Sequence, residues 1–401
     1  MFRKIVIISL TISLLFGFSA NSQTLVKKFT SIGSSANLNG NVLFAADDGV
    51  HGIELWKTDG TSGGSSIVKD INPGPGASNV ASLFAFNNKL YFSATDGIHG
   101  VELWQSDGTA AGTKMLKDIN TVGGNGNDGS IPLEFTVFKG ALYFTALQDG
   151  NYYTLWKTDG TAAGTVMITD DSDYTYVAHL TVVGNSMYFT KGQTQLWVTD
   201  GTTAGTKQIN VDDYYTVEML HNVNNELVFI TSYTYEHYDI RLYKLNPSDN
   251  KPVLLHPFKA VTYGNSNIDN ITAVGNKFYF SIRTSDANDK AVDALWKSDG
   301  TAAGTDTVRT FGWENHLSGS SNSTFTVYNN KLYFVNGRGS NLWTTDGTYA
   351  GTIKLSNATV STTVKPIIYN NKLYFNGNNQ LWKFDGANAA AEIQQPTVPV
   401  K

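Results

Sequence analysis

Cysteine is missing from all 401 residues, which excludes disulfides, thiolate-ligated metals and a thioether lipid anchor. Charge is scarce too: Asp, Glu, Lys and Arg make up 16% of the chain, against about 25% in an average soluble protein. The net charge is −5 and no Lys/Arg cluster occurs, so nucleic acid is not an expected partner. The body of the chain shows neither helical periodicity nor helix caps. Its one long apolar run is at the start.

That start reads MFRKIVIISLTISLLFGFSANSQ. Arg3 and Lys4 precede an apolar stretch from Ile5 to Phe18, and Ala20-Asn21-Ser22 is a small-residue cleavage site before Gln23. The layout is that of a secretory signal peptide over residues 1–22. The apolar run is too short for a membrane anchor. The expected mature protein, 23–401, is exported, with no transmembrane segment after signal removal.

What the chain has in excess is repetition. LWKTDGTAAGT at Leu155 recurs at Leu55, Leu103, Leu196, Leu295 and Leu342, and in a frayed form at Leu381. The phrase takes seven of the eight tryptophans: Trp56, Trp104, Trp156, Trp197, Trp296, Trp343 and Trp382. A second phrase of the KLYF type precedes each copy, its last Phe falling at 44, 92, 144, 189, 229, 280, 334 and 375, about 47 residues apart. Asn/Gly-rich pairs stand before it, from Asn39-Gly40 to Asn370-Asn371. Such pairs tolerate the positive φ of tight hairpin turns.

One unit therefore reads strand, turn, strand, loop, strand, DGT turn, strand. In the second unit the expected strands are Val80–Phe86, Lys89–Ala94, Val101–Gln105 and Thr113–Asp118. Four short antiparallel strands at this period predict an all-β fold, a β-propeller of four-stranded blades, eight by unit count with seven as the alternative. The units run roughly 31–76, 77–123, 124–173, 174–213, 214–260, 261–314, 315–358 and 359–395, in one propeller domain. The fifth is weakest, with Tyr243 in the Trp position. Thr24–Phe29 and the weak segment at Ala391 compete as the strand that closes the ring.

The repeated Trp reads as a joint. A blade's middle strands are covered on both faces, and LYF and LW are apolar on both. Burying one Trp removes roughly 150–250 Å² from water, an upper bound of about 4–6 kcal/mol. The Asp of DGT is expected to accept N–H bonds within its own turn, and both glycines to take positive φ. Calcium in these turns finds too few carboxylates. The GxSxG pattern around Ser62 lacks the strand-to-helix turn of a nucleophile elbow, and Ala110, Ala162 and Ala302 replace Ser62 in sister units.

ELWKTDGTSGGS at Glu54 and ELWQSDGTAAGT at Glu102 resemble the ELWxxDGTxxGT repeat family of exported Bacteroidetes proteins. The resemblance covers nearly the whole mature chain and implies an exported, propeller-like repeat protein, often carried to the surface by type IX secretion. Few residues follow Asp385, so a C-terminal sorting domain is not expected. Periplasm, cell surface and medium all stay open as destinations.

Function is expected where the units differ. The Asn/Gly and DGT turns share one face of the disc, whereas the loops after KLYF and the connectors between units share the other and vary strongly. On that variable face the candidate ligand-binding residues are Trp313, His316, Tyr174, Tyr176, Tyr214, Tyr215, Tyr235, His237 and Tyr238. Aromatic rings beside carboxylates suit sugar or protein partners. Asp171, Asp173, Asp212 and Asp213 would hold calcium, the one candidate cofactor, if their connectors converge. His51 and His99 fall in equivalent DGxHG loops and read as part of the repeat. No residue is assigned a catalytic role, because Asp213, Glu236, His237 and Tyr238 show no recognisable acid–base spacing. The expected role is a non-catalytic scaffold for a glycan or an envelope protein, with a glycan hydrolase or lyase as the alternative.

Overall fold

The computed structural model describes residues 27–384 apart from 62, 122–128, 149–151, 170–174, 193, 212–215, 234–238, 247, 260–267, 286–290, 312–324, 337–340, 356–366, 370–371 and 378–379. Among the described residues there are strands and turns and no helix. The strands form seven four-stranded sheets and one three-stranded sheet, paired in chain order and antiparallel throughout. The fold class is thus all-β, built of four-stranded propeller blades. Blades 1 to 4 span Ser31–Lys69, Ala81–Lys117, Leu133–Met167 and Val177–Ile209. Blades 5 to 7 span Thr216–Lys259, Ile268–Phe311 and Thr326–Lys354, and the three-stranded blade 8 spans Ile367–Phe384. The chain divides into two compact units between Gln208 and Ile209.

The repeat pattern places the strands closely. In blade 2 they are Ala81–Phe86, Lys89–Thr95, Val101–Ser106 and Lys114–Lys117, each end within a residue of expectation. The hairpin pairs do what their composition demands. Asn87 and Asn88 take φ of 47° and 56°, and Asn329 and Asn330 take 47° and 55°, the two left-handed residues of a type I′ turn. At Gly184 and Gly275 only the glycine is left-handed, φ 56° and 62°, as in a type II′ turn.

The first strands of blades 1 to 4 lie against one another in succession, and so do those of blades 5 to 7. These strands carry a recurrent bulge. The register slips between Ala81 and Phe84, between Ala178 and Thr181, between Glu218 and His221, and between Asp269 and Thr272. A left-handed residue sits in each slip: Ser82, His179, Met219 and Asn270, with Glu134 in the same place in blade 3. An extra residue adds local twist. No sequence pattern announces it, because five different side chains occupy one backbone conformation.

The second and third strands form the core. Lys89–Thr95 is buried at every position after the first, and Phe44, Phe92, Phe144, Phe189, Phe229, Phe280 and Phe334 are among the largest fully buried side chains. All but Phe229 pair in register with the Trp of the next strand, as Phe144 does with Trp156 and Phe280 with Trp296. In blade 5 Tyr243 takes that place and stacks on Phe229 at 5.4 Å. The strand cores then pack between blades: Leu38, Leu55, Val68 and Ile71 of blade 1 share a cluster with Leu90, Phe92 and Trp104 of blade 2. No helix among the described residues is long and apolar enough to cross a membrane.

Candidate functional site

The DGT turn is closed upon itself, while the indole N–H groups of Trp56, Trp104, Trp296 and Trp343 are buried without a protein acceptor among the described residues. Asp107 Oδ1 accepts the N–H of Thr109 at 2.9 Å and its hydroxyl at 2.7 Å. The Thr113 hydroxyl donates to Thr109 O at 2.7 Å and lies 2.7 Å from Ser106 Oγ. The same bonds recur around Asp159, Asp200, Asp299 and Asp346. Threonine's hydroxyl and N–H hold these carboxyls below the ordinary carboxylate range. Both glycines were expected to be left-handed, and only the first is: Gly108 has φ 89°, whereas Gly112 does not take positive φ. The second glycine is required for closeness, since a Cβ on Gly112 would overlap the Asp107 carboxylate.

The joint also holds cations that the apolar pattern hid. Lys69, on the outer strand of blade 1, lies 5.8 Å from the Trp104 ring of blade 2 and donates to Thr113 O at 2.8 Å. Lys117 does the same for Trp156 and Thr165 O, and Arg309 for Trp343 and Thr352 O. Lys57, Lys157 and Lys297 reach the carbonyls of Gly108, Gly201 and Gly347 in the next blade. Trp56 takes its cap from the N-terminal segment, with Lys27 Nζ 4.0 Å from the ring and Phe29 edge-on at 5.0 Å. The competing segment at Ala391 lies outside the described residues. Trp56, Trp104 and Trp156 are buried. Trp197, Trp296 and Trp343 are partly buried against the preceding blade, while Trp382 lies on the last strand of blade 8.

At the opposite ends of the strands the chemistry is less closed. In blades 1 and 2 the loop between the middle strands carries an Asp–His pair. Asp96 Oδ1 accepts the N–H groups of Ile98 and His99 at 2.9 and 3.0 Å, and its Oδ2 lies 2.7 Å from His99 Nδ1. Burial alone would raise the Asp96 carboxyl, and these N–H groups and the imidazole outweigh it, leaving it lowered. The same carboxylate raises His99 above its ordinary value. Asp48 and His51 repeat the arrangement. The carboxylate fixes Nδ1 and leaves Nε2 as the other polar position of the ring. Val50 and Ile98 stand beside these pairs, 66% and 72% exposed.

Beneath each pair lies a buried carboxylate that ties down the connector to the next blade. Glu54 accepts from the N–H of Ile71 at 2.8 Å and of Ser78 at 3.2 Å. Glu102 accepts from Ile119 N at 2.8 Å and from Ser130 N and Oγ at 2.9 and 2.6 Å. Burial pushes both carboxyls up despite these bonds, and the charges of Asp70 and Asp118 add to the rise. Asp70 and Asp118 each bury an Oδ1 that meets no protein donor. Among the described residues no group of three or more His, Asp or Glu is arranged to hold a metal ion. The ELW phrase thus contains, besides its joint, a clamp for the variable connectors. Its signal was the Glu two residues before Trp, present in two copies only.

Of the sequence-derived ligand candidates, Tyr176 is described: it precedes the first strand of blade 4 and is exposed. Trp313, His316, Tyr174, Tyr214, Tyr215, Tyr235, His237 and Tyr238 lie outside the described residues, as do Asp171, Asp173, Asp212 and Asp213. Tyr152 and Tyr153, on the same face, are half-buried at the start of a strand in blade 3. The residues that the structure does bring together are Asp48 with His51 and, separately, Asp96 with His99.

No family profile matches the chain, and no curated protein matches it. Solved structures do. A computationally designed protein, Ika8, is 14% identical over 88% of this chain and 95% of its own, with a TM-score of 0.45. One of two prolyl endopeptidases is 11% identical with a TM-score of 0.46, and the match spans 88% of this chain and 54% of that enzyme. BamB from Moraxella catarrhalis is 14% identical over 78% of this chain and 82% of its own, with a TM-score of 0.39. The chain is thus similar to these structures at low identity, and it spans only about half of the endopeptidase.

Proposed function

We propose that this chain is an exported, non-catalytic β-propeller of the ELWxxDGT repeat type that presents its variable loop face to a glycan or a protein of the cell envelope. One observation carries the reading. The DGT turn of the repeated phrase satisfies its own polar groups, as Asp107, Thr109 and Thr113 do, and the described indoles are buried or partly buried in the joint, so the most abundant motif has little left to offer a ligand. Chemistry that faces outward is left to the loops, where aliphatic, imidazole and carboxylate groups adjoin at Val50, His51 and Asp48 and again at Ile98, His99 and Asp96. Export rests on the composition of residues 1–22. A rigid scaffold with varied loops is a common arrangement for recognition.

The test is a glycan array together with a pulldown from envelope extract, using wild type and the variants Trp313→Ala, Tyr215→Ala and His99→Ala. Binding reduced in at least one variant is the expected result. Equal binding by all four proteins would sink the loop-face assignment.

A further inference from the structure

At the joint between blades 5 and 6 a histidine replaces the cation that caps other joints. The fourth strands of blades 1, 2 and 6 carry that cation at one register position. There Lys69 pairs with Leu55, Lys117 with Leu103 and Arg309 with Leu295, each just before the register slips. In blade 5 the residue at that position is His256, opposite Leu242 and before the same slip. The aromatic surroundings match. Phe258 meets Trp296 edge-on at 4.9 Å and Phe280 at 6.0 Å, as Phe311 meets Trp343 at 5.4 Å and Phe334 at 6.1 Å. The imidazole lies 4.7 Å from the Trp296 ring, where lysine or arginine stands over Trp104, Trp156 and Trp343.

The difference lies in what the head group can reach. Lys69 and Lys117 extend to a threonine carbonyl of the next blade at 2.8 Å, and Arg309 does so at 2.7 Å, so their charge is hydrogen-bonded within the joint. The shorter imidazole stops between Phe258 and Trp296, and among the described residues its nitrogens have no hydrogen-bond partner. Charges around it are few. Phe278, Phe280, Ile282, Ala294 and Trp296 of blade 6 pack with blade 5, whereas Lys277, Arg283, Asp293 and Lys297 alternate to the other side of their sheet. On its own blade, Arg241 stands opposite Pro257, again on the other side, and Lys244 pairs with Glu226. Burial lowers the imidazole below its ordinary value, against the opposing pull of Asp306, the one charge that acts on it.

We propose that the joint between blades 5 and 6 is an acid-sensitive seam. Uncharged, His256 packs between Phe258 and Trp296 and keeps the seam closed; protonated, the ring leaves the aromatics and the seam opens locally. The idea does not rest on the loop-face reading above. The open state binds the proton better, so closure is fully supported above 6.5 and weakens as pH falls through the folded value. The test is amide exchange read by mass spectrometry on the full chain from pH 7 to pH 5, corrected for intrinsic rates, in Pro252–Lys259 and Lys277–Ser285. Local opening is expected to rise by up to about 10-fold per pH unit below the ordinary imidazole value and to level off at the folded one. His256→Lys, which installs the residue of blades 1 and 2, and His256→Phe should each remove the rise. A flat wild-type profile would overturn the proposal, as would the same rise in whichever His256 variant folds.

Discussion

At the scale of single residues, the second glycine of DGTxxGT shows how a repeat can conserve a residue for want of space instead of for backbone freedom. Gly112 does not take a positive φ, and alanine there meets the Asp107 carboxylate first. Gly112→Ala is expected to cost about 1–3 kcal/mol, an overpacking term. In an Asp107→Ala background it should cost almost nothing, and urea unfolding of the four proteins in that cycle measures the coupling. His99 offers a second check. Its hydrogen bond to Asp96 raises the imidazole above 6.5, so the stabilisation it brings is complete below pH 6.5 and fades as pH climbs through the raised value. NMR titration of the ring should give a midpoint above that of His99 in Asp96→Asn. An equal midpoint in both would remove the pair.

At the scale of the strand and the blade, adhesion comes from an indole clasped between its own Phe and a cation from the blade before. Trp104→Ala is expected to cost about 3–5 kcal/mol, as large aromatic deletions do. Lys69→Met keeps the aliphatic cover but loses the ring contact and the bond to Thr113 O, a loss of about 1–2 kcal/mol. A urea midpoint unmoved by Lys69→Met would mean that the cation is incidental. The blades themselves were legible because their signals are local: Asn-Gly pairs fix hairpins, and alternation gives way to continuous apolar runs only where both faces are covered. The cation was partly legible as well, in the recurring basic–x–apolar order of Lys69 and Ile71, Lys117 and Ile119, and Arg309 and Phe311. Its target, a carbonyl more than forty residues onward, was not. The bulge on the first strand lay beyond reach for the same reason. It depends on what a neighbouring blade places opposite, and a single strand's pattern does not encode its neighbour.

At the scale of the molecule, the two compact units carry opposite acid responses. The unit ending at Gln208 contains Glu54 and Glu102, whose carboxyls are pushed above 4.5 by burial, and His99, raised above 6.5 by Asp96. All three bind protons better folded than unfolded, so they favour the folded state on the acid side and lose that contribution as pH rises through their folded values. The turn carboxyls Asp59, Asp107, Asp159 and Asp200 run the other way: lowered from 3.8, they hold stability above 3.8 that is lost as pH falls through their folded values. Together these put the loss of stability at acid pH with the lowered aspartates, Asp48 and Asp96 among them, and its decline toward neutral pH with Glu54, Glu102 and His99. The unit from Ile209 onward contains His256, half-buried between Phe258 and Trp296 at ring distances of 4.6 and 4.7 Å. Burial lowers its pKa below 6.5, so it must charge on unfolding and withdraws stability as pH falls through 6.5. Hydrogen exchange read by mass spectrometry at pH 5 and pH 7, corrected for intrinsic rates, should therefore show blades 1 to 3 better protected at pH 5 and blades 5 and 6 better protected at pH 7. Glu54→Gln with Glu102→Gln should flatten the first difference, and His256→Phe the second. The same direction of change in both sets of peptides would mean that a shared term, such as net charge, outweighs the local carboxyl and imidazole environments.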